Sequence, residues 1–335
     1  MRQPKRNIPW LVLLLAGILL LSACGGNNEN NQNSAQGGGD GQAVAEYTLE
    51  KDGGEVVKVT QEEFDQFKGM KKVNDPYFEQ RAALSETFEE DLLKQYVAVK
   101  ILESQTSAEE MDQLKKEADE AYATITEQLN ANEQLKEQWN SLLESNGLSE
   151  EEYKQYMLLQ NNAITQLEKS ITEDEMKKQY EERIAADPYA YLTSASVSHI
   201  LITAGDTRTS DEALELAEEV KQKLDDGGDF AALAQQYSED PGSKDNGGSY
   251  VDADINQWDA DFRKAVLELP VGQISDPVET QFGYHIIRVD KRDVPTFEDA
   301  SVQEIVKGEL VEKKFQDFLA NDLGSYLKEI DLPEE

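Results

Sequence analysis

Val197-Ser198-His199-Ile200-Leu201-Ile202 and, much later in the chain, Tyr284-His285-Ile286-Ile287-Arg288-Val289 are the two stretches on which the fold turns. Each is an aliphatic run rich in β-branched residues with one histidine set among them, the composition of a buried strand. Between them the pattern becomes helical. Residues 211–226 put Ala213, Leu216, Ala217, Val220 and Leu224 on one stripe, Phe230 to Tyr237 form a second short helix, and Ala260 to Leu269 a third. Ile274 to Val278 reads as a shorter strand. Strands alternating with helices, with a strand at each end, predict a compact α+β or α/β unit over 194–292.

The flanks have a different texture. Residues 46–60 read as a short strand pair around Asp52-Gly53-Gly54, and helix-start signals then recur: Thr60 with Glu63, Ser107 with Glu110, Ser149 with Glu152 and Thr172 with Glu175 each fit a capping box. Apolar residues between them fall at helical spacing, as in Leu84, Phe88, Leu92, Tyr96 and Val99. One helix is expected to stop at Gly147 and the next to start at Ser149. Asp187-Pro188 ends this helical region, since proline disfavours helix in the residue before it. A last helix is expected from Thr296 through Ile305, Val306, Leu310, Phe315, Phe318 and Leu319, and it resembles the first region in composition. The reading is therefore a helical N-terminal domain over 46–190 and the strand-containing unit over 194–292. A C-terminal helical segment, 293–335, returns to pack on the N-terminal domain, so that the α+β unit is an insertion.

The first residues read as an address. Arg2, Lys5 and Arg6 precede an apolar run from Trp10 to Leu20, too short for an ordinary membrane span but suited to a secretory signal over 1–23. Leu21-Ser22-Ala23-Cys24 resembles the bacterial lipobox, which implies a lipid on Cys24. A plain signal peptide with an incidental cysteine is the alternative. The stretch 24–45, rich in Gly, Asn and Gln, is a flexible tether. Its root-mean-square span of roughly 25 Å would lift a domain clear of the headgroups.

Composition removes several function classes. With 32 Lys and Arg against 68 Asp and Glu, the formal charge of −36 repels a phosphate backbone, so nucleic acid is not an expected partner. Cys24 is the one cysteine, which excludes a disulfide scaffold, a Cys-rich zinc site and thiol redox chemistry in the folded part. His199 and His285 are the only two histidines, so any chemistry that needs imidazole near neutral pH must use them. They occupy mirror positions in the first and last strands of the unit, where they are either satisfied core histidines or a pair meeting at the centre of the sheet. A two-histidine metal site lacks ligands at a spacing such as HExxH, and no metal or cofactor is expected.

Four motifs in order carry a family resemblance: Ser198-His199-Ile200-Leu201-Ile202, Phe230-Ala231-Ala232-Leu233-Ala234-Gln235-Gln236-Tyr237-Ser238-Glu239-Asp240, Leu269-Pro270-Val271-Gly272-Gln273-Ile274-Ser275-Asp276-Pro277-Val278, and Phe282-Gly283-Tyr284-His285-Ile286-Ile287. Together they resemble the parvulin family of peptidyl-prolyl cis–trans isomerases. With the lipobox and the helical flanks, the whole chain is similar to the PrsA-type foldase lipoproteins of Gram-positive bacteria. The resemblance implies a small parvulin-like sheet wrapped by helices, with His199 and His285 as a hydrogen-bonded imidazole pair and Asp240 beside them as catalytic residues. It also implies a proline pocket at Trp258, Phe262 and Phe282. The segment Asn246-Gly247-Gly248-Ser249-Tyr250-Val251 departs from the family's Gly-Asp-Leu-Gly pattern, which removes the leucine from one wall of that pocket.

Two functions of different class follow from the resemblance. One is a membrane-anchored prolyl isomerase on the extracytoplasmic face, acting on unfolded or partly folded secreted proteins with X-Pro bonds. The other is a non-catalytic holdase chaperone with a weak or idle parvulin domain, which cradles unfolded chains in a cleft that a homodimer would enlarge. Isomerisation needs no covalent nucleophile. It must lower a resonance barrier of about 18–20 kcal/mol, which a dry pocket favouring the twisted amide can do.

Overall fold

The computed structural model describes residues 42–205 and 208–333, so the signal segment, Cys24 and nearly all of the tether lie outside the described residues. The fold is α+β and divides into two compact units. Among the described residues, one contains the chain from 42 to 172 and again from 307 to 333; the other, Glu173–Val306, interrupts it in sequence.

The first unit opens with a hairpin of β1 (Ala43–Glu50) and β2 (Gly53–Thr60). Its turn needs left-handed backbone at Asp52 (φ 58°) and Gly54 (φ 104°), residues suited to that region. Helices α1 (Gln61–Asn74), α2 (Phe78–Ala82), α3 (Phe88–Ser104), α4 (Ala108–Asn130), α5 (Glu133–Ser145) and α6 (Glu150–Glu168) follow. Complete capping boxes start α1 at Thr60, α4 at Ser107 and α6 at Ser149. α5 stops as its sequence predicts: Gly147 takes φ 69°, its N–H reaches Glu144 O at 3.0 Å, and Leu148 N–H reaches Leu143 O at 3.0 Å. Phe64, Phe67, Leu93, Val97 and Ile101 form the main core with Val44 and Tyr47 of the hairpin. Val311, Phe315, Phe318 and Leu319 pack against the same core from the C-terminal end. The final strand, β7 (Leu327–Ile330), pairs antiparallel with β1 to complete a three-stranded sheet in the order β2-β1-β7. The sequence reading expected helix alone in this tail.

The second unit contains α7 (Glu173–Ala186), β3 (Ser194–Thr203), α8 (Ser210–Asp225), α9 (Phe230–Tyr237), β4 (Ser249–Asp254), α10 (Ala260–Glu268), β5 (Val278–Thr280) and β6 (Gly283–Lys291). A further helix, α11 (Ala300–Asp317), starts in this unit and runs on into the first. The strands form one antiparallel sheet in the order β4-β3-β6-β5, with β3 and β6 central. Because side chains alternate along a strand, the central pair has two distinct faces. Ile200, Ile202, Tyr284 and Ile286 pack with Ala213, Ala217 and Val220 of α8 and Phe230 of α9. Val197, Ile287 and Val289 pack with Phe262 and Val266 of α10.

Two boundaries differ from the sequence reading. The short strand lies at Val278–Thr280, not Ile274–Val278. Pro277 has no N–H for a ladder, and upstream of it the pairing is reduced to an isolated Ile274–Arg288 bridge. Ser275 N–H donates to Ile287 O at 2.8 Å, but the return bond from Ile287 N–H goes to Ser275 Oγ at 2.9 Å instead of to backbone. The last helix begins at Ala300 because Thr296 N–H and Oγ–H both donate to Asp299 Oδ2, closing a turn first.

Candidate active site

His199 and His285 leave the same face of adjacent central strands. His199 stands opposite Ile287 and His285 opposite Leu201, so the histidines are diagonal neighbours on the side that packs against α10. Their Nδ1 atoms lie 3.1 Å apart and the rings stack at 5.4 Å with 16° between planes. They are 4% and 5% exposed, so each ring nitrogen needs a partner inside the protein. His199 Nε2 lies 3.0 Å from Asp240 Oδ2 and 3.0 Å from Ser243 Oγ. His285 Nε2 lies 2.9 Å from Thr280 Oγ1.

Donor and acceptor balance is met with both rings neutral. Asp240 is acceptor-only when ionised, and Ser243 Oγ–H, Tyr250 O–H (3.0 Å) and Gly242 N–H (3.2 Å) all donate to it. His199 must then present Nε2–H towards Asp240, which leaves its Nδ1 to accept from His285 Nδ1–H. His285 Nε2 in turn accepts from Thr280, whose oxygen also receives Phe282 N–H at 3.2 Å. The chain of bonds runs from Thr280 to His285 to His199 to Asp240, with both rings neutral. Hydrogen bonding from His199, with Ser243 and Gly242, holds the Asp240 carboxyl well below the usual range, against the cost of burial. Burial, then the neighbouring His199, pulls His285 down to about 4. No imidazole nitrogen is left over to attack a substrate.

Phe262 closes this face of the pair, edge-on to both rings at 5.3 Å from His199 and 5.1 Å from His285. Trp258 meets Phe262 edge-on at 5.3 Å and is half-buried. Asp259 positions both, capping α10 by accepting Asp261 N–H and Phe262 N–H, while its other oxygen accepts Gln281 Nε2–H at 3.3 Å from the β5–β6 turn. At the far end of α10, Arg292 donates to the carbonyls of Val266, Leu267 and Leu269.

The structure thus brings together His199, His285, Asp240, Phe262 and Trp258. Phe282 stands apart. It sits in the two-residue β5–β6 turn, 53% exposed, with no ring contact to the other five among the described residues. Tyr250, in the segment that departs from the family pattern, packs in the same apolar cluster as Trp258 and Phe262. Ser243, Tyr250 and Thr280 escaped the sequence reading because hydroxyl residues in loops and short strands carry no periodic signal. The family-pattern departure at Tyr250 was the one available pointer. Cys24 lies outside the described residues.

A small antiparallel sheet whose central strands pair two buried histidines under an aromatic wall defines the class, and the family comparison agrees. A model described as a PPIC-type PPIASE domain matches residues 176–293. The chain is 36% identical over 199 residues to foldase protein PrsA 4 of Bacillus cereus, covering 58% of this chain and 62% of that one. It is 32% identical over 229 residues to foldase protein PrsA 3 of the same organism, covering 68% and 72%. Over 301 residues it is 30% identical to foldase protein PrsA of Clostridium kluyveri, covering 86% of this chain and 84% of the relative. The chain belongs to the PrsA foldase family and carries a peptidyl-prolyl cis–trans isomerase domain of the PPIC, or parvulin, type.

Proposed function

We propose that this protein is a lipid-anchored, extracytoplasmic foldase that catalyses X-Pro isomerisation in secreted polypeptides as they fold after translocation. The observation that carries the catalytic part is the neutral imidazole pair, with every ring nitrogen bonded, under Phe262 and Trp258. Such a pair is a rigid, dry floor. A proline ring held against the aromatic wall would leave its preceding amide in a low-dielectric setting, which raises the polar planar amide relative to the less polar twisted one and so lowers the barrier. Asp240, held ionised, adds a negative charge beside the floor. Placed near the substrate carbonyl, that charge disfavours the O⁻/N⁺ resonance form and so weakens the C–N double bond. His199 and His285 shape the site and Asp240 polarises it.

The anchoring part rests on Leu21-Ser22-Ala23-Cys24, on the apolar run before it and on the polar stretch after it. Among the described residues no helix is long and apolar enough to cross a membrane. The domain limits proposed are 1–23 for the signal, 24–45 for the tether, 46–190 and 293–335 for the helical chaperone part, and 194–292 for the isomerase. A holdase role alongside catalysis is favoured by exposed apolar side chains on the isomerase unit, Val251 at 71% and Phe282 at 53%.

The test is isomerisation of X-Pro peptides by the chain from Gly25 onward, beside His285→Ala and Phe262→Ala. Catalysis that falls in both variants is expected; a folded wild type without acceleration on any peptide overturns the enzyme reading and leaves client aggregation as the assay to run. Lipid labelling of cells should mark the wild type and not Cys24→Ala. Equal labelling would refute the anchor.

A further inference from the structure

Oδ2 of Asp240 is unusually crowded. It takes His199 Nε2–H at 3.0 Å, the Ser243 hydroxyl at close range and the Tyr250 hydroxyl at 3.0 Å, whereas among the described residues Oδ1 takes Gly242 N–H alone, at 3.2 Å. Tyr250 leads β4 as its second residue, pairs with Val197 of β3, and has its ring 5.6 Å from that of His199. One side chain therefore fills the wall of the pocket and reaches the carboxylate behind the histidine.

We propose that Tyr250 is a positioning residue that keeps the imidazole pair neutral by drawing charge from the Asp240 carboxylate. The inference rests on the catalytic reading of the pair. A carboxylate oxygen that accepts three donors has less charge to offer any one of them. Its attraction for a protonated His199 is weakest when Tyr250 is bonded, and the neutral Nε2–H form of His199 is enough to satisfy it. The far end of the chain supports the same state. Protonating His199 would put a proton on its Nδ1, and His285 would have to shift its own proton from Nδ1 to Nε2. Thr280 Oγ–H would then lose its acceptor, and Gly283 O, at 3.5 Å, is a poor substitute.

Other charges face the group. Asp259, at the start of α10, acts on His285 and favours its protonation, as does Asp240 itself. Lys244 and Asp245 follow Ser243 in the adjoining turn, and Glu239, next to Asp240, is taken up by Arg208 at 2.9 Å. None of these except Asp240 touches an imidazole through a hydrogen bond. Tyr250 acts on the pair through that one carboxylate.

The experiment exploits the presence of only two histidines. The chain from Gly25 onward is labelled with ¹³C,¹⁵N-histidine, and ring signals are followed from pH 8 to 4 in wild type, Tyr250→Phe and Tyr250→Leu. Both variants keep an apolar wall and lose the hydroxyl. The pair is expected to take up its first proton at a pH higher by about half a unit or more in both, a roughly threefold gain in proton affinity. In an Asp240→Asn background, Tyr250→Phe is expected to add no shift. The acid limb of the isomerase pH profile should move by the same amount as the ring signals. Unchanged titration in variants that keep dispersed ring signals would overturn the proposal. So would an equal shift in the Asp240→Asn background, because the hydroxyl would then act by another route. Loss of ring dispersion in both variants would also count against it, since Tyr250 would then be part of the fold and not a tuner of charge. Wild type without isomerase activity would sink the catalytic reading, and the ring titrations would still decide the role of Tyr250.

Discussion

Acidification should destabilise the second unit through His285, in a pH window that separates it from the acids around it. The ring is 5% exposed and titrates near 4 in the folded protein, against 6.5 as its ordinary value. An imidazole with a depressed folded value contributes stability that is complete above about pH 6.5. That contribution is lost progressively as pH falls towards 4, because the unfolded chain binds the proton first. At about 1.4 kcal/mol per unit, the full loss is about 3 kcal/mol, of which about 2 kcal/mol falls between pH 6.5 and 5. Asp240 does not confuse this range. Its value is depressed, so its contribution is present above the ordinary carboxyl value of 3.8 and disappears only below it. Glu239, drawn down to about 2 from 4.5 by Arg208 and Thr203 against the opposing effect of burial, is likewise lost only below pH 4.5. The assay is urea unfolding of the chain from Gly25 onward, which lacks Trp10, followed by Trp258 fluorescence in a Trp139→Phe background at steps from pH 7 to 5. The partner in the comparison is His285→Gln, whose amide donates and accepts without titrating. Wild type should lose about 2 kcal/mol over that range and the variant less than half as much. Parallel pH dependences would refute the account, because the buried neutral ring would then not be the group that resists protonation.

Three further outcomes are expected. Phe262→Ala, at a site 6% exposed, should cost about 3–5 kcal/mol in stability and abolish measurable isomerisation, whereas Phe262→Leu should keep the fold with weakened catalysis; equal stability of wild type and the alanine variant by urea titration would contradict the packing described. Gly248→Ala should unfold the second unit or halt its expression. A methyl there would lie 2.3 Å from His199 O, on a residue with φ 80°, and an unchanged melting temperature would be inconsistent with that geometry. Asp259→Ala should remove about 1 kcal/mol of helix capping and loosen Phe262, raising KM for X-Pro peptides more than it lowers kcat; steady-state kinetics decide this, and a change in kcat alone would assign Asp259 another role.

The sequence made legible those parts of the fold whose physics is local. Capping boxes at Thr60, Ser107 and Ser149 are short-range hydrogen-bond patterns, and all three form as written. The left-handed glycine after α5 is equally local. The diagonal meeting of His199 and His285 was open to inference because strands at opposite ends of a small sheet commonly become neighbours. What remained hidden depended on distant partners. β7 is four residues long, and its pairing with β1 cannot be read from Leu327-Lys328-Glu329-Ile330 alone. Ser243 and Thr280 gain their roles only once the turn after α9 and the edge strand β5 are folded back onto the imidazoles. Phe282, placed in the pocket by resemblance, lies in the two-residue β5–β6 turn and is 53% exposed, a setting that depends on where the two edge strands end and not on the residues beside it.

On the proposed reading of the site, Tyr250 accounts for how the 246–251 segment can depart from the family pattern. The pocket needs an apolar surface beside the imidazoles, and the carboxylate behind them needs donors. Leucine can supply only the first. Tyrosine supplies both, but its hydroxyl carries weight only because Asp240 stands at that position. A thiol there would be a weaker acceptor and would gain little from a phenol donor. Tyr250 and Asp240 are therefore expected to act as a unit, so that Asp240→Cys and Tyr250→Leu together should impair isomerisation less than the sum of the two changes made singly. A double-mutant cycle on kcat/KM measures that coupling. Strict additivity would mean that the hydroxyl and the carboxylate work independently and that the crowding at Oδ2 has no functional consequence.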